Sequence, residues 1–179
     1  MTLAAPDPPL SDGVVTLRAP DERDLEAMDQ GIHDPDVVRW FGQPEGSAKE
    51  ILALNRRRWS DGSPTFAVCE GDGCCVGHAW INVSPQDPAT GSVGYWLLPA
   101  ARGRGLATRA VQLLVPWARQ ALGLDKIRLV TVSANERSQA VAKRSGFRLV
   151  GTEPGHTEVD GRAVDLIVFA WPLKEADQS

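Results

Sequence analysis

The segment 94–108 reads Gly-Tyr-Trp-Leu-Leu-Pro-Ala-Ala-Arg-Gly-Arg-Gly-Leu-Ala-Thr, and it joins a strand pattern to a long helix pattern. Aromatic and apolar residues over Ser92–Leu98 predict a strand. From Leu106, apolar residues recur at helical spacing as far as Ala121, and Gly123 follows as a stop signal. The pair Gly103 and Gly105 therefore stands directly before the first turn of a helix.

A glycine loop at a helix start is suited to binding an anion. The first N–H groups of a helix have no internal acceptors, and the helix dipole favours negative charge there. Arg102 and Arg104 add positive charge, and Arg109 follows one turn later. The alternative is an ordinary loop with solvated arginines, and this segment alone leaves both open. A nicotinamide fingerprint needs a third glycine where Thr108 stands, and a P-loop needs Gly-Lys-Ser/Thr, which is absent.

Further elements extend on both sides of this loop. The predicted strands are Val14–Arg18, Thr65–Glu70, Cys74–Val83, Lys126–Val132, Phe147–Gly151 and Val164–Trp171, and the other helices are 21–29, 35–41, 47–59 and 136–145. Residues 71–73 are predicted to form a hairpin turn. This order predicts an α+β (mixed α/β) fold around one central sheet. We expect a flexible arm at 1–13, a single domain at 14–173 and a tail at 174–179.

Composition excludes several classes of protein. The formal net charge is −4 and the pI is about 5.4, whereas a general nucleic-acid binder carries a basic surplus. The N-terminus has no signal-peptide pattern, and no apolar stretch reaches the roughly 18 residues that span a bilayer. Cys69, Cys74 and Cys75 suit neither a disulfide nor a metal site, so three free thiols and no metal are expected. These features indicate a cytoplasmic protein without a membrane partner.

Four motifs in this order resemble those of one family. Arg102, Gly105 and Ala107 match a Gln/Arg-x-x-Gly-x-Gly/Ala loop in register, and Gly94–Pro99 is similar to a "GYWL.P" strand. The segments 135–138 (Asn-Glu-Arg-Ser) and 145–147 (Ser-Gly-Phe), and the upstream 34–40, complete the set. Together they resemble the RimJ/RimL-like (ribosomal-protein alanine acetyltransferase-like) branch of the GNAT superfamily over about residues 14–172. The resemblance implies a mostly antiparallel V-shaped split sheet flanked by helices, with acetyl-CoA in the cleft.

The resemblance also implies a cofactor site. The loop amides of residues 102–107 would hold the pyrophosphate, the strand around 96–98 would pair with the pantetheine, and a backbone N–H near Leu97 or Leu98 would point at the thioester carbonyl. The expected cofactor-binding residues are Trp96, Leu97, Leu98, Arg102, Gly103, Arg104, Gly105, Leu106, Ala107, Thr108, Asn135, Ser138 and Arg144. Asn135 is also suited to capping the following helix. Alternation along the strand places Tyr95 and Trp96 on opposite faces.

The same resemblance makes Ser138 the candidate acid for the leaving thiolate, although it could equally be a first-turn helix residue. The base is less defined. The branch often carries a glutamate before "GYW", but Ser92-Val93 stands there. Glu158 is the candidate, matching with a one-residue shift, and Glu153 lies nearby. His78, which shares a strand face with Trp80 and Asn82, and a water relay are the alternatives.

The function implied is transfer of the acetyl group of acetyl-CoA to a primary amine, of a protein N-terminus or a small molecule, by direct attack. The alternatives are a non-catalytic acyl-CoA-binding or sensing module, an aminoglycoside-type acceptor, or another acyl-CoA such as succinyl-CoA, whose carboxylate could meet Arg56, Arg57 or Arg58. Helices within 21–59 and a loop at 152–163 are expected to shape the acceptor pocket. A monomer or a homodimer fits this function.

Overall fold

The computed structural model describes residues 3–71 and 73–171. Its strands are β1 (Leu10–Ser11), β2 (Val15–Arg18), β3 (Thr65–Glu70), β4 (Cys75–Val83), β5 (Thr90–Leu97), β6 (Lys126–Val132), β7 (Arg148–Val159) and β8 (Arg162–Ala170). Its α-helices are α1 (Leu25–Ile32), α2 (Pro35–Phe41), α3 (Ala48–Ser60), α4 (Leu106–Leu122) and α5 (Glu136–Arg144). Position 72 of the predicted turn, positions 172–173 and the predicted tail at 174–179 lie outside the described residues.

The strands form one sheet in the order β1-β2-β3-β4-β5-β6-β8-β7. Within the described residues every neighbouring pair is antiparallel except β5 and β6. That parallel pair is joined only where residues 90–93 meet residues 126–129. Beyond Val93 the two strands separate and open a cleft. The predicted mixed α/β fold with a split, mostly antiparallel sheet is therefore confirmed.

The two faces of the sheet are covered by different helices. On one face α4 packs its buried side chains, Val111 and Leu114 among them, against Ala79 and Ile81 of β4. On the other face α1 packs against β4. Gly31 of α1 lies so close to the Trp96 indole that a Cβ at this position would collide with the ring. The cleft between β5 and β6 is thus flanked by α4 on one side and by the N-terminal helices on the other.

The N-terminal helices begin where their capping residues predict. Asp34 accepts a hydrogen bond from the Val37 N–H at 3.0 Å, with Pro35 in the first helical position of α2. In α3 the Ser47 hydroxyl accepts from the Glu50 N–H, and the Glu50 carboxylate accepts from the Ser47 N–H at 2.7 Å. This reciprocal pair is the predicted capping box, and it fixes the start of α3.

The C-terminal hairpin differs from the prediction of a loop at 152–163, which is wrong. β7 continues to Val159, and the turn contains Asp160 and Gly161. Pro154 and Gly155 indicate a loop because both disfavour strands, but the register shift between Glu153 and Thr157 absorbs them as a bulge. The segment is therefore two paired strands, and Asp160 at its turn forms a salt bridge with Arg39 of α2 at 2.5 Å.

Part of the segment predicted to be an arm is attached to the domain. β1 pairs with β2, Leu10 packs on the core, and Asp12 accepts a hydrogen bond from Arg109 of α4 at 2.7 Å. Among the residues that the structure describes, no helix combines the length and the apolar composition needed to cross a bilayer. The cysteines are free, with Cys69 and Cys75 buried and Cys74 exposed.

Candidate active site

A cavity of about 790 Å³ occupies the split in the sheet, and we call it the cleft cavity. Its walls come from α2, the end of β5, the glycine loop, the first turns of α4, and α5. The wall residues used below are Tyr95, Trp96, Leu97, Arg102, Gly103, Gly105, Leu106, Ala107, Thr108, Asn135, Ser138 and Arg144. Most of the predicted cofactor-binding residues thus line one cavity. Leu98 and Arg104 are not among its lining residues.

The glycine loop presents a row of backbone donors. Gly103 and Gly105 have φ of 72° and 78°, in the left-handed region that favours glycine. None of the N–H groups of residues 103–108 has an acceptor among the described residues. The Arg102 N–H is different, because it donates to the Pro99 carbonyl at 3.2 Å. Successive free N–H groups before a helix are the requirement for a concave anion site, so an amide cradle at this loop would comprise residues 103–108 and exclude Arg102.

The arginines beside the loop do not supply free positive charge, contrary to the expectation from the sequence. The Arg102 guanidinium bridges Asp34 at 2.5 Å and Asp36 at 3.1 Å, and its Nε donates to the Leu97 carbonyl at 2.9 Å. Arg104 pairs with Glu70, and Arg109 pairs with Asp12. Each cation is neutralised by a carboxylate distant in sequence. Any attraction of this loop for an anion would therefore come from its backbone N–H groups and the α4 dipole.

One of the two backbone donors predicted on β5 is already used. The Leu98 N–H donates to the Val76 carbonyl at 2.8 Å, so it cannot point at a substrate. Since N–H groups alternate between the two edges of a strand, the Leu97 N–H lies on the cleft edge. The prediction of a donor "near Leu97 or Leu98" is thereby reduced to Leu97.

Ser138 lies in the first turn of α5 and is held by two neighbours. Asn135 caps the helix, its Oδ1 accepting from the Ser138 N–H at 3.1 Å. The Tyr95 hydroxyl donates to the Ser138 Oγ at 3.3 Å. Burial raises the pKa of Tyr95 to about 12, so the phenol stays protonated. Because Tyr95 occupies an acceptor lone pair of Ser138, the serine proton remains free to point elsewhere. Sequence alternation predicted that Tyr95 and Trp96 lie on opposite faces of the strand, but not this contact.

The structure does not bring Glu158 to the cleft. Glu158 lies on β7 opposite Ala163, is exposed, and lines neither this cavity nor the one described next. Glu153 is also outside both cavities and forms a salt bridge with His156 at 3.1 Å. The physical reason is the hairpin: its extended strands carry both carboxylates along the sheet edge, whereas a loop could have folded back over the cleft.

A second cavity of about 300 Å³ lies between α1–α3 and the face of β4 that carries His78, and we call it the side cavity. Its lining residues are Met28, Gly31, Ile32, Val37, Phe41, Pro44, Ile51, Leu54, Asn55, Arg58, Thr65, His78, Trp80, Asn82 and Trp96. It shares Val37, Phe41 and Trp96 with the cleft cavity. The two cavities therefore meet at the C-terminal end of β5.

His78 lies at this junction. Its ring stacks on Trp96 with centroids 5.1 Å apart, and its side chain is buried. The Nε2 atom has no hydrogen-bond partner among the described residues. Burial lowers the pKa of His78 to about 4, so the ring is neutral near pH 7 and accepts a proton poorly. Within the described residues no group of three or more His, Cys, Asp or Glu side chains could hold a metal ion.

Comparisons with known proteins agree with this geometry. The acetyltransferase (GNAT) domain family matches residues 15–148. The "Putative ribosomal N-acetyltransferase YdaF" of Bacillus subtilis (strain 168) is 26% identical over 169 residues, which cover 90% of this chain and 92% of the relative. The spermidine N(1)-acetyltransferase of Escherichia coli (strain K12) is 28% identical over 159 residues, which cover 87% and 86%.

The fold is also similar to that of solved structures. The ribosomal alpha-N-protein acetyltransferase RimL, in complex with coenzyme A, superposes with a TM-score of 0.78 at 23% identity, over 94% of this chain and 98% of that one. At this identity the likeness establishes the fold. The family match covers most of the chain and includes the strand, glycine loop and helix that form the cleft. This chain therefore belongs to the GNAT N-acetyltransferases, in the RimJ/RimL-like branch that its motifs indicate.

Proposed function

We propose that this enzyme transfers the acetyl group of acetyl-CoA to a primary amine by direct attack. One observation carries the proposal: residues 103 and 105–108, whose N–H groups have no acceptor among the described residues, line the same cavity as Ser138 and Leu97 at the cleft edge of β5. A diphosphate needs such a row of donors, and a thioester needs an aimed N–H and a nearby proton donor. RimL, which shares the fold, binds coenzyme A.

The residues present fit acetyl-CoA. The N–H groups of residues 103–108 would hold its pyrophosphate, and the cleft edge of β5 would bind its pantetheine arm. Arg144, at the end of α5, also lines the cavity and would be available to phosphate or adenine. When bound, acetyl-CoA supplies an activated acyl group on a thiol leaving group.

Charge develops at two places during transfer, and this chain has a donor for each. The Leu97 N–H would stabilise the negative charge that grows on the thioester carbonyl oxygen. Ser138 would give a proton to the departing thiolate, and Tyr95 would hold the serine oxygen so that its proton is free. In this role Ser138 is catalytic and Tyr95 is a positioning residue.

The amine proton has no dedicated base in this proposal. Glu158 and Glu153 lie outside both cavities, and His78 is a weak base because of its burial. We infer that the amine loses its proton to water. Since the side cavity joins the cleft cavity at Trp96, the amine and acetyl-CoA would be bound together, which direct attack requires.

The test is thiol release from acetyl-CoA with a panel of amines, scored also by the mass of the product. The panel contains spermidine, an alanyl peptide, an aminoglycoside and small amino carboxylates, because relatives are named for polyamine and ribosomal-protein acceptors. With the best amine, double-reciprocal plots should intersect. Parallel plots would show a covalent acyl-enzyme and contradict direct attack. Tight acetyl-CoA binding without thiol release from any amine would indicate a binding module.

A further inference from the structure

The lining of the side cavity contains one cationic side chain and no carboxylate. Among its lining residues only Arg58 carries a full charge at neutral pH, and neither Asp nor Glu is present. The remaining wall is aliphatic or aromatic, apart from Asn55, Thr65, His78 and Asn82. A polyamine would bring two or more positive charges to this wall with no carboxylate to receive them. The chemistry of the cavity therefore disfavours a polycationic acceptor.

Arg58 is half-buried and has only neutral partners. Its Nε donates to the Thr65 hydroxyl at 3.0 Å, and its Nη2 donates to Asn82 Oδ1 at 2.6 Å and to the Ile81 carbonyl at 3.4 Å. Burial lowers its pKa, an effect that nearby Asp61 partly offsets. No salt bridge to Arg58 is found among the described residues.

Several other arginines of this chain are paired with carboxylates, including Arg56, two positions away, which binds Glu22 at 2.8 Å. The arginines other than Arg58 that lack a salt bridge among the described residues are exposed. Arg58 differs because its half-buried guanidinium forms no salt bridge among the described residues, and Asp61 offsets only part of the cost of its burial. The N–H groups of its Nη1 have no acceptor among the described residues. These free donors, on a side chain that lines the cavity, can form a charged hydrogen bond to a carboxylate oxygen.

The groups that line the side cavity also follow a fixed order along β4. His78, Trp80 and Asn82 alternate along β4 and so share one face, with His78 and Asn82 about 13 Å apart along the strand. His78 stacks on Trp96 at the junction with the cleft cavity, whereas Asn82 binds Arg58 at the opposite end. Between them Trp80 packs edge-on against Phe41 with centroids 5.4 Å apart. The reactive end, the apolar middle and the cationic end follow one another along the strand.

We propose that the acceptor is a small elongated amine with an apolar or aromatic body and a carboxylate at the end remote from the amine. Its amine lies at Trp96, its body lies along Trp80 and Phe41, and its carboxylate binds Arg58. This inference rests on the proposed function. The amine nitrogen forms a bond to the acyl carbon as the carbon–sulfur bond breaks; the amine gives one proton to water, the thiolate takes one from Ser138, and water returns a proton to the serine, so no proton is gained or lost.

The test uses 4-(2-aminoethyl)benzoate, its carboxamide and 2-phenylethylamine as acceptors for the full chain. A charged hydrogen bond contributes about 1.5–3 kcal/mol, so the carboxylate should have a kcat/KM about 10–100-fold above that of the carboxamide. In Arg58→Gln that preference should disappear, mainly through KM, while turnover of the carboxamide stays within about threefold. Arg57→Gln, an exposed neighbour on α3, is the matched control and should keep the preference.

Three readouts distinguish a carboxylate site at Arg58 from a purely structural role of this side chain. Acetyl-CoA affinity of Arg58→Gln should match that of the control, and Arg58→Lys should restore part of the preference. Calorimetry of 4-(2-aminoethyl)benzoate, with and without Arg58→Gln, tests the carboxylate site even if no amine supports turnover. Equal use of carboxylate and carboxamide, or an alanyl peptide preferred over every small amine by more than about tenfold, would overturn the inference. So would succinyl-CoA transfer that depends on Arg58, since the carboxylate would then belong to the acyl donor.

Discussion

The cleft cavity and the side cavity meet at Trp96, but they are built from different parts of the chain. The cleft presents backbone N–H groups from one continuous segment, residues 103–108, and two of its residues are glycines. The side cavity presents side chains from α1, α2, α3, β3, β4 and β5, which come together only in the folded protein. This difference indicates a division of labour. Backbone N–H groups suffice for the pyrophosphate of the proposed acetyl-CoA, whereas a particular acceptor has to be recognised by side chains.

The largest effect should come from the backbone site. Gly105→Val puts a β-branched residue at φ of 78° and a side chain between the loop N–H groups and the pyrophosphate. Loss of two charged hydrogen bonds should weaken acetyl-CoA binding about 10³-fold, measured by calorimetry. The control is Gly123→Val at the other end of α4, where φ is 65° and the strain is similar. Equal affinity in the two variants would mean that the loop is not the phosphate site.

The next effect is on the pH dependence of stability, and it comes from His78 at the junction of the two cavities. Burial lowers the pKa of His78 from 6.5 to about 4. Between these pH values His78 is therefore protonated in the unfolded chain and neutral in the folded chain. The free energy of unfolding should therefore be highest above about pH 6.5 and fall by about 3 kcal/mol as the pH approaches 4. His78→Phe keeps a ring against Trp96 and should lack this part of the decline. Denaturant unfolding of both proteins across this pH range measures it, and parallel curves would contradict it.

Ser138→Ala should lower kcat by about 10²-fold, the smaller end for loss of a general acid, and leave acetyl-CoA affinity nearly unchanged. The loss should shrink with an acyl donor whose thiol is more acidic, because a better leaving group needs less protonation. Steady-state kinetics of Ser138→Ala and the unmodified enzyme, with acetyl-CoA and with the donor of the more acidic thiol, measure both effects. If Ser138 is merely a helix residue, the variant should lose stability and keep its rate.

The smallest effect should come from Tyr95→Phe, which removes only the hydroxyl that binds Ser138 Oγ. We expect kcat to fall about tenfold, the equivalent of one hydrogen bond of about 1.4 kcal/mol, with KM little changed. In a Ser138→Ala background the same change should have no effect on kcat, because Tyr95 acts through the serine. Additive losses in the double variant would assign Tyr95 a separate role.

Sequence alone predicted the strand, loop and helices around the cleft because their signals are local. The glycine loop, the start of α4 at Leu106, the cap at Asn135 and the strand ending at Leu97 are each encoded within a few residues. The capping box at Ser47 and Glu50 and the proline start of α2 are local in the same sense. Patterns of this kind specify the same local structure whatever long-range contacts the rest of the chain makes.

The contacts that define charge and specificity could not be predicted. Arg102 reaches Asp34 across 68 positions, Arg104 reaches Glu70 across 34, and Arg58 reaches Asn82 across 24. No local pattern shows which arginine will meet a carboxylate and which will not. The hairpin β7–β8 differs from the predicted loop for a related reason, since cross-strand pairing overrides the local preferences of Pro154 and Gly155.

The salt bridges of Arg102 to Asp34 and Asp36 couple the two cavities energetically. They tie the glycine loop to the start of α2, and α2 also carries Val37 and Phe41, which face both cavities. A ligand that shifts the loop must therefore shift a wall of the side cavity. By linkage, the factor by which one substrate changes the affinity of its co-substrate is the same in both directions. Cooperativity between the two substrates would then depend on the two ion pairs of Arg102.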